Sequence, residues 1–135
     1  ILSLREKLKN IYGESSTLKQ LGVEEPEENN DFLSQYIDIV KANISNQELD
    51  VSVIYQALGM SRANFYRKVK AVTGLSPIEL IKNIRLEAGA KLLKESSMNV
   101  SEVAQHVGFS SRSYFARSFK TVYGMSPTEY QESKQ

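Results

Sequence analysis

The strings GLSPIE, from Gly74, and GMSPTE, from Gly124, stand 50 positions apart in a chain of 135 residues. Each is the signature of one helix ending and the next beginning. Gly takes the left-handed closing position, an apolar residue follows, Ser is the N-cap, Pro is the first helical residue and Glu lies three residues after the cap. The apolar residue before each cap has a partner at the fourth helical position, Leu75 with Leu80 and Met125 with Tyr130, which is the spacing of a hydrophobic staple. Both copies specify a helix-to-helix corner.

The repeat extends beyond these corners. At an offset of 49, LDVSVIYQALGMS from Leu49 lies over MNVSEVAQHVGFS from Met98, with Val, Ser, Gln, Gly and Ser in common. At an offset of 50, FYRKVKAVTGLSPIE from Phe65 lies over FARSFKTVYGMSPTE from Phe115. One duplication with one inserted residue, falling between Ser110 and Phe115, accounts for both offsets. Within each unit a short helix, capped by Asp50 or Asn99 and running to Leu58 or Val107, is followed by Gly59 or Gly108. A second helix follows, capped by Ser61 or Ser110. Two helices about a short glycine-containing turn make a helix-turn-helix pattern.

Such a pair cannot bury its faces alone, so further helices must close each unit. From Asp31, read as a cap, Phe32, Tyr36, Ile37, Val40 and Ile44 form one apolar stripe. The helix from Pro77 to Glu95 carries Ile78, Ile81, Ile84, Leu86, Ala88, Leu92 and Leu93 on more than one stripe, as expected if both units pack on it. Spacing predicts Val53, Ile54, Leu58, Phe65, Val69 and Val72 inside the first unit. It predicts Val103, Ala104, Val107, Phe115, Phe119 and Val122 inside the second. No stretch alternates long enough for a strand, so the expected fold is all-α, with two helix-turn-helix subdomains, a long central helix and about seven helices. The stretch KESSMN leaves open whether the second unit is fixed or hinged.

Upstream, Leu4, Leu8 and Ile11 have helical spacing closed by Gly13, and VEEPEENND has the composition of a linker. The domain division is therefore residues 1–30 as a helix and acidic linker, then 31–135 as the helical domain. The latter comprises a first unit at about 31–75, the connecting helix at 76–96 and a second unit at 97–135. The first 30 residues carry a net charge of −2 and the rest +3. No run of 18 apolar residues and no secretory segment appears, which predicts no membrane contact for this fragment. The absence of Cys removes disulfides, thiolate zinc ligands and a Cys nucleophile, and it suits a reducing cytosol. A start at Ile1 suggests a piece of a longer protein.

What remains on the outer face of each second helix carries the functional signal. In SRANFYRKVK the face opposite Phe65 and Val69 shows Arg62, Ala63, Tyr66, Arg67 and Lys70. In SSRSYFARSFK it shows Arg112, Ser113, Ala116, Arg117 and Lys120. Such faces suit a DNA major groove, where Arg pairs with guanine edges and Ser or Tyr with bases or phosphates; alternatively they are solvated surfaces. A connecting helix of 19 residues, at about 1.5 Å per residue, spans roughly 28 Å. That is compatible with two helices entering successive major grooves about 34 Å apart. Catalysis has no support. His106 stands without Cys or a second His, the carboxylates lie among Lys and Arg at helical spacing as Glu87 and Lys91 do, and Ser61, Ser76, Ser110 and Ser126 read as caps rather than nucleophiles. No metal site and no cofactor are expected. The rival class is a helical adaptor that binds proteins without binding DNA.

These residues resemble the AraC-type transcriptional regulators, over about Asp31 to Tyr130. VSEVAQHVGFSSRSYFARSFKTVYGMSPTEY is the most specific stretch. LGMSRANFYRKVKAVTGLSPIELIKNIRLEAGAKLL looks most like the output domain of hybrid two-component sensor kinase/response regulators. The resemblance implies sequence-specific binding of double-stranded DNA and transcription regulation, with no enzyme activity in this fragment even where a parent carries a histidine kinase. It implies base-reading roles for Ala63, Tyr66, Arg67, Arg112, Ser113, Ala116 and Arg117, and phosphate contacts for Ser61, Arg62, Lys70, Ser111 and Lys120. Ala63 and Ala116 offer only a methyl. Leu2 to Tyr12 then corresponds to the last helix of an upstream receiver domain, RNA polymerase is a further partner, and the setting is cytoplasmic with a parent anchored in the inner membrane.

Overall fold

The computed structural model describes residues 27–133. The helix expected at Leu2–Tyr12 and most of the acidic linker lie outside the described residues. Among these residues run seven helices and no strand: α1 Glu27–Ala42, α2 Val51–Ala57, α3 Arg62–Thr73, α4 Pro77–Glu95, α5 Val100–His106, α6 Arg112–Tyr123 and α7 Pro127–Glu132. The all-α architecture with a long central helix is the one that the duplication predicts.

Capping decides most of the boundaries. Ser76 and Ser126 each accept a hydrogen bond from the backbone N–H of the glutamate three residues on, and the Glu79 and Glu129 carboxylates accept in turn from the cap N–H. Gly74 and Gly124 close α3 and α6 with φ of 76° and 79°, a conformation that costs residues with a Cβ. Asp50, Asn99 and Ser61 cap α2, α5 and α3 as expected. Two boundaries differ. The N-cap of α6 is Ser111, not Ser110, because the inserted residue lies in the turn: Gly59-Met60 precedes the cap in the first unit, and Gly108-Phe109-Ser110 precedes it in the second. And α1 begins at Glu27, so Asp31 is an exposed residue inside the helix and not its cap. Glutamate is a good helix former and is favoured in a first turn, which explains the extension into the acidic segment.

Two cores share α4. The first gathers Phe32, Tyr36, Val40, Ile54, Phe65 and Val69, and α4 gives it Leu80, Ile81 and Ile84. The second gathers Val103, Val107, Phe109, Phe115 and Phe119, with Leu86, Ala90 and Leu93 from α4. Burying a phenylalanine such as Phe65 or Phe115 contributes about 1.5–3 kcal/mol relative to leaving it in water. The Tyr36 ring stacks on Phe65 at 5.5 Å and its hydroxyl donates to the Pro77 carbonyl at 2.9 Å. That bond ties α1 to the start of α4, and burial pushes the phenol above its usual pKa. In the middle of α4, Gly89 leaves room for Phe115: a Cβ there would lie 3.0 Å from its ring.

Two expected core residues fall elsewhere: Val53 is 46% exposed and Ile78 68% exposed. Ile44 lies in the turn beyond α1 and not in the helix, half-buried, and packs on both cores from there. In the two turns of α2, Val51 and Ile54 take the inward side at a spacing of three, leaving Val53 on the flank. Ile78 lies at the start of α4 on the side away from both cores. Leu58, Val72 and Val122 are half-buried at the core margins.

Candidate nucleic-acid interface

Each second helix turns one side to a core and the other to solvent. On α3, Phe65 and Val69 are fully buried, whereas Arg62, Ala63, Arg67 and Lys70 are exposed and Tyr66 is half-buried. On α6, Phe115 and Phe119 are fully buried. Arg112, Ser113, Arg117 and Lys120 are exposed there, with Ala116 half-buried. The expected outer faces are therefore assembled, position for position, at the offset of 50. Neither helix contains Asp or Glu, and between them they carry seven Lys and Arg.

Their polar contacts are local. Arg67 Nη1 donates to Asn64 Oδ1 at 2.9 Å, and the Arg62 guanidinium lies 4.8 Å from the centre of the Tyr66 ring. Lys70 Nζ donates to the Gly74 carbonyl at 3.1 Å. In the second unit Arg112 Nη1 donates to Ser101 Oγ at 3.1 Å, which ties α6 to α5. Among the described residues no cation of either face forms an ion pair with a carboxylate, and only Lys70 and Lys120 feel a nearby one, Glu79 and Glu129 respectively. Ser61 Oγ and Ser111 Oγ, both exposed, accept from the N–H groups of Asn64 and Tyr114 at 3.2 and 3.1 Å. A capping hydroxyl keeps its own proton free to donate to an anion.

Three residues of this region escape the amphipathic pattern. Asn64 and Tyr114 occupy equivalent positions in the first turns of α3 and α6, and both are exposed; the offset of 50 pairs them, though their types differ. Arg85, in the middle of α4, is buried at 9% exposure. It sits between Ile84 and Leu86, and a cation in such an apolar run is the signal that marks it. Burial holds its guanidinium below the usual arginine pKa, yet an arginine stays charged at any working pH. His106 is exposed, and no group of three or more metal-binding side chains comes together among the described residues. No helix among these residues is long and apolar enough to cross a membrane.

Residues 54–133 match the family described as a helix-turn-helix domain. The histidine kinase P4 of Formosa agariphila is 37% identical over 99 residues, which cover 73% of this chain and 7% of the kinase. Further curated relatives are spanned over about a quarter to a third of their length. Among solved structures, the C-terminal domain of AraT, a response regulator from Geobacillus stearothermophilus, aligns with a TM-score of 0.66 and 27% identity, over 77% of this chain and 86% of that one. The DNA-binding domain of the global transcriptional factor AdpA, in complex with a target DNA, aligns with a TM-score of 0.65 and 27% identity, over 73% of this chain and 88% of that one. An AraC-type regulator from Chromobacterium violaceum shares the fold at a TM-score of 0.71 and 24% identity, over 78% and 94% of the two chains.

Proposed function

This chain belongs to the AraC-type helix-turn-helix family, and from that premise we propose that it regulates transcription by binding double-stranded DNA sequence-specifically through α3 and α6. The observation that carries the reading is the pair of equivalent, exposed, carboxylate-free basic faces on the two duplicated helices. Net positive charge on a helix face draws the phosphate backbone and releases its counterions, whereas base edges in the groove are read by forked or short polar side chains. Ala63, Tyr66, Arg67, Arg112, Ser113, Ala116 and Arg117 then read bases. Ser61, Arg62, Lys70, Ser111 and Lys120 hold phosphates. The likeness to a domain solved on its target DNA supports this.

The wider setting belongs to the same proposal. The likeness to a histidine kinase and to a response regulator's C-terminal domain supports an output module within a longer two-component regulator, receiving its signal from an upstream receiver domain. RNA polymerase is the proposed partner at promoters, and the cytoplasm the proposed setting, with the parent anchored in the inner membrane. Any histidine kinase activity would reside in other parts of that parent.

The test is fluorescence anisotropy against a random duplex at two salt concentrations, followed by selection of preferred sites from a random duplex pool. Salt-sensitive binding and an enriched motif are the expected results. A chain that ignores duplex at low salt is a protein-binding adaptor, and the proposal falls.

A further inference from the structure

The two units touch around a single buried arginine. Arg85 leaves α4, the element common to both cores, and its guanidinium forks: Nη2 donates to the Asn46 carbonyl of the first unit at 2.7 Å, and Nη1 to the Gly108 carbonyl of the second at 2.8 Å. Asn46 lies in the turn after α1, and Gly108 in the turn just before α6. The contact is close-packed as well as polar. Gly108 has φ of 87°, and a Cβ there would lie 2.4 Å from the Ile44 carbonyl oxygen and 2.8 Å from Arg85 Cζ. Ile44 packs against both cores, and Ser45 Oγ donates to the His106 carbonyl at 2.6 Å. A cleft of about 420 Å³ runs over this junction, and its lining includes Arg85 and Gly108 together with Tyr66 of α3 and Tyr114 of α6. The junction therefore lies beneath the gap between the two outward helices.

We propose that Arg85 is the positioning residue that sets the spacing of half-sites this chain accepts on DNA, by fixing the turn before α6 in the second unit against the turn after α1 in the first. The proposal rests on the DNA-binding reading above. A lysine cannot substitute, because a guanidinium offers two N–H groups in a rigid fork while an ammonium is a single point. Backbone carbonyls are also fixed acceptors, so the fork sets an orientation between two main chains and not between mobile side chains. Inserting one base pair between half-sites displaces the second by about 3.4 Å and turns it by about 35°. A reader held rigidly at one spacing must then give up contacts in one groove.

The experiment uses a duplex selected from a random pool by this chain, the same duplex with one base pair inserted or removed between its half-sites, and each half-site alone. For the parent chain the altered spacing should weaken binding at least about tenfold, the equivalent of losing one good base contact. In Arg85→Met, which keeps the stem and its packing but neither hydrogen bond, the spacing penalty should drop to less than about threefold while half-site affinity holds. A folded Arg85→Met that retains the parent's spacing penalty overturns the proposal. If Arg85→Met fails to fold, Arg85→Lys carries the test: it should relax the penalty, and a parent-like penalty overturns the proposal equally. Failure of the parent to bind any duplex removes the DNA-binding reading itself. Binding with an unrelaxed penalty in the variants removes only the role of Arg85.

Discussion

Arg67 and Arg117 hold equivalent positions one turn into their helices, but they are not equivalently engaged. Arg67 is steadied by Asn64 at 2.9 Å, while the Arg117 side chain makes no hydrogen bond or ion pair among the described residues. Arg117→Ala should cost about 1–3 kcal/mol on a selected site and little on random duplex. Lys120→Ala should weaken both duplexes alike and lower the salt slope by about one. Binding isotherms on both duplexes check this pair, and equal losses for Arg117→Ala would refute its part in base reading. Arg67→Ala should lose more discrimination than Arg117→Ala, since Asn64 steadies Arg67 and the neighbouring Tyr66 offers further contacts to a base. The outer faces were legible in the sequence because helical spacing sorts apolar from polar positions. Arg85 and Asn64 were not: an amphipathic pattern assigns arginine to the surface, and Arg85 is buried only because carbonyls from two distant turns meet its fork.

Helix boundaries were legible wherever a cap has its own chemistry, so α4 runs from Pro77 to Glu95 as the corners predict. The start of α6 escaped because Ser110 and Ser111 are chemically the same and only the turn geometry chooses between them. The capping boxes at Ser76 and Ser126 are charged. Hydrogen bonds from the Ser76 backbone and side chain, and likewise from Ser126, hold the Glu79 and Glu129 carboxyls below their ordinary pKa. A carboxyl lowered in the folded state adds stability above its unfolded pKa and loses it as pH falls through the folded value. The double variant Glu79→Gln, Glu129→Gln keeps a neutral capping box, so its melting temperature should fall less than the parent's between about pH 5 and pH 3. Ser76→Ala should destabilise by about 1 kcal/mol in urea titrations. Gly89→Val should cost about 1–3 kcal/mol or more, because a side chain at that point of α4 meets the Phe115 ring. A neutral outcome there would mean that the second core repacks freely.

At the scale of the molecule, duplication alone predicts two units on one helix, but not how they are held. That depends on Arg85 and on a close approach at Gly108 that no periodicity encodes. Since α1 begins at Glu27, a chain started at that residue should match the longer one in melting temperature and duplex affinity; a large loss of affinity would bring residues 1–26 into the binding unit. The inserted residue has a further consequence. The turn of the second unit is pinned at Gly108 under Arg85 and Ile44, and the extra Ser110 lets the chain leave that pinned point before α6 begins. The first unit's Gly59 has nothing within 4 Å of where a Cβ would stand, so its shorter turn has no such close approach at its glycine. The halves are thus no longer interchangeable parts. A synthetic reader made by repeating the first unit in tandem would fold two half-domains and lack the joint between them. Reprogramming should instead exchange only the outward residues of α3 and α6, leaving each turn in the half where it arose.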